Sequence, residues 1–387
     1  MGGAGVVRGP CSQELRGSAR IAAAPLSGSV GGARTRAARV GAGGPGGVVA
    51  YRGAVIETAL TESLWPHGER PAPVPGETPA AYDPERYALA AGAPNGEGTE
   101  RRADTDVHGQ KRNLRFPALP EPLPHPVVDN HTHLDMQDGL VRVSVADAVA
   151  TARDASVAGV VQAGCDVKSS RFAAAAAQAV PGVLAAVALH PNEAPQLARR
   201  GELEAALREI DALAAQDRVS AVGETGMDRV HTPEEGLAAQ EESFRAHIEL
   251  AKRHNLAMQI HDREAHEDVL RILQDAGAPE RTVFHCFSGD AELARVCNQN
   301  GWYMSFAGTV TFKNAKALQE ALRVADPALV LCETDAPFLT PHPFRGRPNA
   351  PYMVNHTVRG MAQLLDAELE TLCRRIWDNA RTVYGQF

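Results

Sequence analysis

The chain has 387 residues, 44% apolar and 22% charged, which is enough apolar material for a sizeable buried core in one or more domains. No apolar stretch approaches the roughly 20 residues a membrane helix needs, so no membrane is expected among its partners. A formal net charge of −8 makes it a poor non-specific ligand for long duplex DNA, though not for one nucleic-acid end held at a local cationic site. The six cysteines, Cys11, Cys165, Cys286, Cys297, Cys332 and Cys373, form no C-x-x-C pair and mostly sit in apolar runs. That pattern suits free thiols in a reducing, cytoplasmic setting.

Residues 1–119 read as a low-complexity extension. Gly, Ala, Arg and Pro dominate without helical or strand periodicity, and the first fifty residues carry six Arg against Glu14. Disorder, or a start codon placed too far upstream, accounts for this composition. A targeting peptide lacks its apolar core, because "IAAAPLSGSV" is short and broken by Pro25 and Gly28. A basic nucleic-acid-binding arm is the weaker alternative. "LPEPLPHP" (119–126) then reads as an extended lead-in.

The texture changes at residue 127, where the domain proper, taken as 120–387, shows apolar runs alternating with amphipathic segments. Strands are expected at 127–131, 158–163, 183–190, 219–224, 256–261, 281–287, 302–306 and 329–334. Helices fill the gaps, one capped by Ser144 and another opened by Thr232-Pro233. Near-continuous Val, Leu and Ala strands imply burial on both faces, hence parallel pairing with helices outside. Eight such units predict a (β/α)8 TIM barrel, preceded by the largely disordered extension. The alternative, a doubly wound open sheet, lacks a Gly-rich fingerprint after the first strand.

Barrel chemistry is expected where strands hand over to the following loops. Metal-ligand residue types collect there: His131 and His133 after strand one, beside Asp129 and Asp135; His190 after strand three; Glu224, His261 and His285 after strands four to six; Asp335 after strand eight. Alternation along a strand puts His131 and His133 on one face. This donor set exceeds one tetrahedral ion and suits two, with Glu224 as the bridging carboxylate. His131, His133 and Asp335 would hold one ion, and His261 with His285 the other. Imidazoles favour zinc, manganese, iron or cobalt over a pure magnesium site. His190 is balanced between a ligand or substrate contact and a plain strand cap. Glu333 is either a group behind the ligands or an inward-facing barrel residue. His247, His254 and His266, in helical stretches, are expected at the surface.

The blocks "VVDNHTHLD", "ALHPNE", "AVGETGMD", "QIHDRE", "VFHCFSGD" and "ETDAPFLTP…RGRPNAP" resemble, in order, the signatures of the TatD family of metal-dependent hydrolases, over about residues 126–387. The resemblance implies a distorted amidohydrolase-like barrel with two divalent metal ions (Zn, Mn or Mg). It implies DNase activity, typically 3′–5′ exonuclease action on single-stranded DNA or RNA ends; no obligate protein partner is evident in the sequence. It places the ligands on His131, His133, Glu224, His261, His285 and Asp335, and substrate contacts on His190 and Arg345. Two positions depart from the family pattern, Asn192 for a second histidine and Arg229 for an aromatic residue, and both would face substrate. The expected reaction is phosphodiester hydrolysis by metal-activated water, with Asp335 as general base and Arg345, His190 and Arg229 balancing phosphate charge. Activity should fade below roughly pH 6 as protons compete for the imidazoles. Amide or ester hydrolysis by the same centre is the alternative.

Overall fold

A computed structural model describes residues 100–101, 111–139 and 141–387. Eight parallel strands form the barrel: β1 (Val127–Thr132), β2 (Val157–Ala163), β3 (Val183–Val187), β4 (Val219–Asp228), β5 (Ala257–Arg263), β6 (Thr282–Phe284), β7 (Tyr303–Phe306) and β8 (Val330–Cys332). They pair strictly in chain order, unlike a doubly wound sheet, whose order reverses at a switch point. The ring closes between β1 and β8 through a single bridge, Thr132 to Ala336. Two bonds support it: His133 N–H donates to Ala336 O (2.8 Å) and Asp335 N–H to His131 O (3.0 Å). This thin seam is the distortion of the barrel, and it carries three of the candidate ligands.

Among the described residues, ten helices cover the outside. The first, α1 (Val145–Asp154), starts where Ser144 Oγ accepts the Asp147 N–H at 3.1 Å, as its sequence predicts. There follow α2 (Val167–Ala179), α3 (Ala194–Arg199), α4 (Leu203–Ala214), α5 (Leu237–His254), α6 (His266–Ala276), α7 (Ala291–Asn300), α8 (Lys316–Val324), α9 (Val354–Leu365) and α10 (Leu369–Tyr384). Between ring and helices lies the larger apolar core. A second core fills the lower half of the ring from Val128, Val161, Leu184, Val283 and Leu331, plugged by Val383 and Tyr384 at the end of α10.

The lead-in departs from its sequence reading. Residues 111–119, assigned to the extension, are bound to the barrel: the Arg112 guanidinium meets Asp138 (Nη2 to Oδ2, 2.5 Å) with both side chains buried. Arg112 Nε also donates to Gly346 O at 2.8 Å, and Phe116 and Leu119 pack on the core. A lone Arg in a polar stretch gives no periodic signal, so this anchoring was not legible. The remainder of the extension, 1–99 and 102–110, including Cys11, lies outside the described residues. All five described cysteines are free thiols.

Candidate metal centre

At the mouth of the ring, His131, His133, His190, Glu224, His261, His285 and Asp335 converge. Glu224 stands at the middle with its two oxygens turned to different partners. Oε1 lies 2.7 Å from His261 Nδ1, 3.0 Å from His285 Nε2 and 3.4 Å from His190 Nε2. Oε2 lies 3.6 Å from the Nε2 atoms of both His131 and His133. Those two nitrogens are 3.2 Å apart, and Asp335 Oδ1 approaches them at 3.9 and 3.4 Å respectively.

Local backbone features bring these groups together. Beyond Glu224, β4 stays against β5 because Gly226, at φ +143°, lacks a Cβ; one built there would sit 2.0 Å from His261 O. Asp335 adopts φ +53°, a left-handed conformation rare outside glycine, fixed by its own N–H bond to His131 O and by Phe338 N–H donating to its carbonyl. The seam thus turns the Asp335 carboxylate toward His133. Asp129 and Asp135 do not join: Asp129 accepts from Thr334 N and Oγ1, and Asp135 from Gln162 Nε2.

Four imidazoles have their outward nitrogen occupied by an acceptor. His131 Nδ1 is 2.9 Å from Gln259 Oε1, His133 Nδ1 3.2 Å from Ala163 O, His285 Nδ1 3.2 Å from Glu333 Oε1, and His261 Nε2 3.3 Å from Asp228 Oδ2. A proton on each outward nitrogen leaves a lone pair on the inward one, the tautomer a metal requires. Gln259 is itself oriented, since its amide N–H groups go to Asn130 O and Tyr384 Oη. His190 is opposite in sense: its Nδ1 accepts the Asn192 N–H (3.1 Å), so the neutral ring presents an Nε2–H donor inward. That distinguishes a hydrogen-bond donor to an anion from a ligand.

The charges agree with this arrangement. Burial raises the Glu224 carboxyl, but the surrounding His285 and His190 outweigh it and hold Glu224 well below the usual range. Burial depresses His133 and His285, yet neighbouring Cys165, Asp335 and Glu224 (for His133) and Glu224 and Glu333 (for His285) raise both well above normal. His131 alone is lowered, by burial and by facing His285. The cavity favours positive charge at its centre, and with four inward imidazole lone pairs and two carboxylates its donor set fits divalent cations.

The expected ligands are therefore brought together, with one adjustment. His261 and His285 both reach Glu224 Oε1, but the tight three-donor groups among the described residues are four: His131–His133–Asp335, His131–Glu224–His285, His133–Cys165–Glu224 and His190–Glu224–His261. His285 therefore stands between the two sets: its Nε2 shares Glu224 Oε1 with His261, while its ring stacks on His131 at 3.9 Å. The substrate-facing arginines stay outside the cluster. Arg229 is held by Asp268 (2.6 Å) and Glu234 (3.4 Å), and Arg345 is exposed on the loop after β8, over the Phe312 ring. Asn192 Nδ2 donates to Asp228 Oδ2 at 3.2 Å, so it braces the acceptor behind His261.

Sequence reasoning missed Gln259, Asp228 and Cys165. Gln259 was within reach, two residues before His261 on the same strand face. Cys165, whose Sγ lies 3.8 Å from Glu224 Oε2, gave no such signal. His247, expected at the surface, is fully buried: the last residues of the β3 run leave the ladder, and Leu189 N–H finds its acceptor in His247 Nε2 at 3.0 Å.

Residues 128–385 match the model of the TatD related DNase family. The uncharacterized metal-dependent hydrolase TatD of Mycobacterium tuberculosis is 43% identical over 263 residues, spanning 67% of this chain and 98% of that protein. The uncharacterized metal-dependent hydrolase YabD of Bacillus subtilis is 35% identical over 66% of this chain and 98% of its own length. In structure, the Escherichia coli TatD homologue YjjV superposes with a TM-score of 0.60 at 23% identity, covering 67% of this chain and 97% of that one, which shows the shared fold. The ordered ligand set and the match over two thirds of the sequence converge: this chain is a metal-dependent hydrolase and belongs to the TatD family.

Proposed function

We propose that the protein is a nuclease that hydrolyses phosphodiester bonds at the 3′ ends of single-stranded DNA or RNA, using two divalent ions bound around Glu224. The observation that carries this reading is the divided Glu224 carboxylate, one oxygen toward His131 and His133 and the other toward His261 and His285. His131, His133 and Asp335 would hold one ion with Glu224, and His261 and His285 the other. Bound there, divalent ions supply a polarised phosphoryl oxygen and a water acidic enough to ionise near neutral pH.

The chain's own groups do the rest. Asp335, with a side chain 15% exposed against 6% for Glu224, is the carboxylate that faces the opening and so can take a proton from the attacking water. His190 Nε2–H points at the same centre and donates to a phosphate oxygen, an interaction that strengthens as charge develops there. Arg345, with no carboxylate partner among the described residues, balances the charge of the bound strand at the rim. The description of the matched family as DNases supports phosphodiesters over amides. A side-by-side assay of a 3′-labelled single-stranded oligonucleotide and an N-acyl amino acid tests this. The oligonucleotide should be shortened from its 3′ end in a chelator-sensitive way; cleavage of the amide alone would transfer the site to deacylation.

A further inference from the structure

We infer that the flank of the mouth formed by residues 308–319 and 341–363 is a second binding site, a phosphate track for the part of a nucleic-acid strand beyond the bond being cut. It extends the nuclease reading above and rests on it. The first observation is charge. In a chain with 47 acidic residues, none occurs between Asp335 and Asp366, where Arg345, Arg347 and Arg359 lie, and none occurs in 301–319, where Lys313 and Lys316 lie. The fold joins these two acid-free stretches. His342 N–H donates to Thr311 Oγ1 at 2.8 Å, and a Cβ on Gly308 would meet Leu339 O at 2.1 Å.

The second observation is an open pocket of about 390 Å³ where they meet, lined by Thr311, His342, His356, Arg359 and Gln363 among others, with no carboxylate in its walls. Arg359 in its wall, and Arg345 and Arg347 elsewhere on this flank, keep their charge. Arg359 donates only to neutral oxygens, Asn355 Oδ1 and the carbonyls of Glu121 and Pro122. Arg345 stacks 4.6 Å above Phe312, and Arg347 5.5 Å from Phe344, donating otherwise to the carbonyls of Arg115 and Phe116. None of the three has an acidic partner among the described residues, whereas Arg208, Arg245, Arg253 and Arg271 on the opposite helices, and Arg229 in the loop after β4, all do.

The third observation is a buried imidazole nitrogen without a partner: His356 Nε2 makes no hydrogen bond among the described residues. Guanidinium and imidazole groups around one hollow are the donors a phosphate diester takes, and an Arg lying on an aromatic ring is a stacking surface for a base. Seven residues link Asp335 to His342, at most about 25 Å of chain, so a strand leaving the metal centre reaches this flank within a few nucleotides. An anionic protein that must hold a polyanion gains from gathering unpaired cations on one side.

The test is fluorescence anisotropy of labelled thymidine oligonucleotides, a dimer and a 10-mer, on the full chain with ions chelated, over a range of salt. Three proteins are compared: the natural chain, His342→Gln/Arg359→Gln, and Arg208→Gln as a charge-matched control far from the mouth. The natural chain and the control should bind the 10-mer at least about tenfold more tightly than the dimer. The double variant should lose most of that preference, and its log Kd against log salt should flatten by about 0.7 per phosphate contact removed. Arg345→Gln, at an exposed position, should lower the same slope if Arg359 substitution compromises folding. Unchanged length preference and slope in both variants, with the 10-mer still hydrolysed by the metal-loaded enzyme, would overturn the track alone. Absence of both binding and hydrolysis would overturn the nuclease reading and the track with it.

Discussion

The two halves of the barrel interior are built from the same strands and spend their inward positions in opposite ways. Below, Val128, Val161, Leu184, Val283 and Leu331 close into a dry layer. Above, within a few residues on the same strands or the loops leaving them, the inward positions carry His131, Glu224, His261, His285 and Asp335. The lower layer is stabilised by burial alone; the upper one crowds ionisable groups that only partners can make tolerable. The polar pair Gln259 and Asn130 marks the boundary, tying His131 above to the Tyr384 hydroxyl below. Stability and chemistry are thus stacked along one axis, and perturbing each half should have separable consequences.

The largest expected effect is in the upper half. Glu224→Gln removes the carboxylate charge from between the two histidine groups; hydrolysis should fall on the order of a thousandfold or more, and elemental analysis should show loss of bound metal with circular dichroism unchanged. In the lower half, Leu331→Ala should cost about 2–5 kcal/mol in denaturant unfolding, while metal content per folded chain stays the same. Loss of metal from that variant at equal folded fraction would show the halves to be coupled.

His247 sharpens the separation through pH. Burial pushes its imidazole down to about 4, and it is held neutral by accepting from Leu189 N–H and donating to Ser243 O. A folded value below the unfolded one, about 6.5, means the unfolded chain takes up the extra proton. The contribution to stability is therefore complete above pH 6.5 and lost as pH falls toward 4, on the order of 3 kcal/mol in all. His247→Gln should flatten the unfolding free energy over that window relative to the natural chain; an identical slope would remove His247 as its source. The smallest effect belongs to Glu333→Gln, behind His285: chelator competition should show metal affinity weakened about 10–100-fold with the fold intact.

Much of this architecture was legible in the sequence. All eight strands and their parallel order followed from apolar runs, and the inner ligands from their positions at strand ends. Strand limits were less so: β3 stops at Val187 rather than reaching His190, because residues 188–189 remain buried after the ladder ends. β4 instead continues four residues past Glu224, because Gly226 lets its backbone lie against β5. Glu333 takes one of its two sequence readings, behind His285. Asp228 was hidden for a different reason: it acts through His261, a pairing that arises from the ring's curvature, which no single strand's pattern contains. The anchoring of Arg112 on Asp138 joins segments that sequence patterning treats as unrelated.

The central claim is that Glu224 sits between two bound cations. Native mass spectrometry of the purified full chain, before and after chelation, tests it most directly. About two divalent ions per chain are expected, with chelation removing both together with oligonucleotide hydrolysis and re-addition restoring both. A natural chain that hydrolyses its substrate with one ion or none, or that keeps its activity after complete chelation, would contradict it.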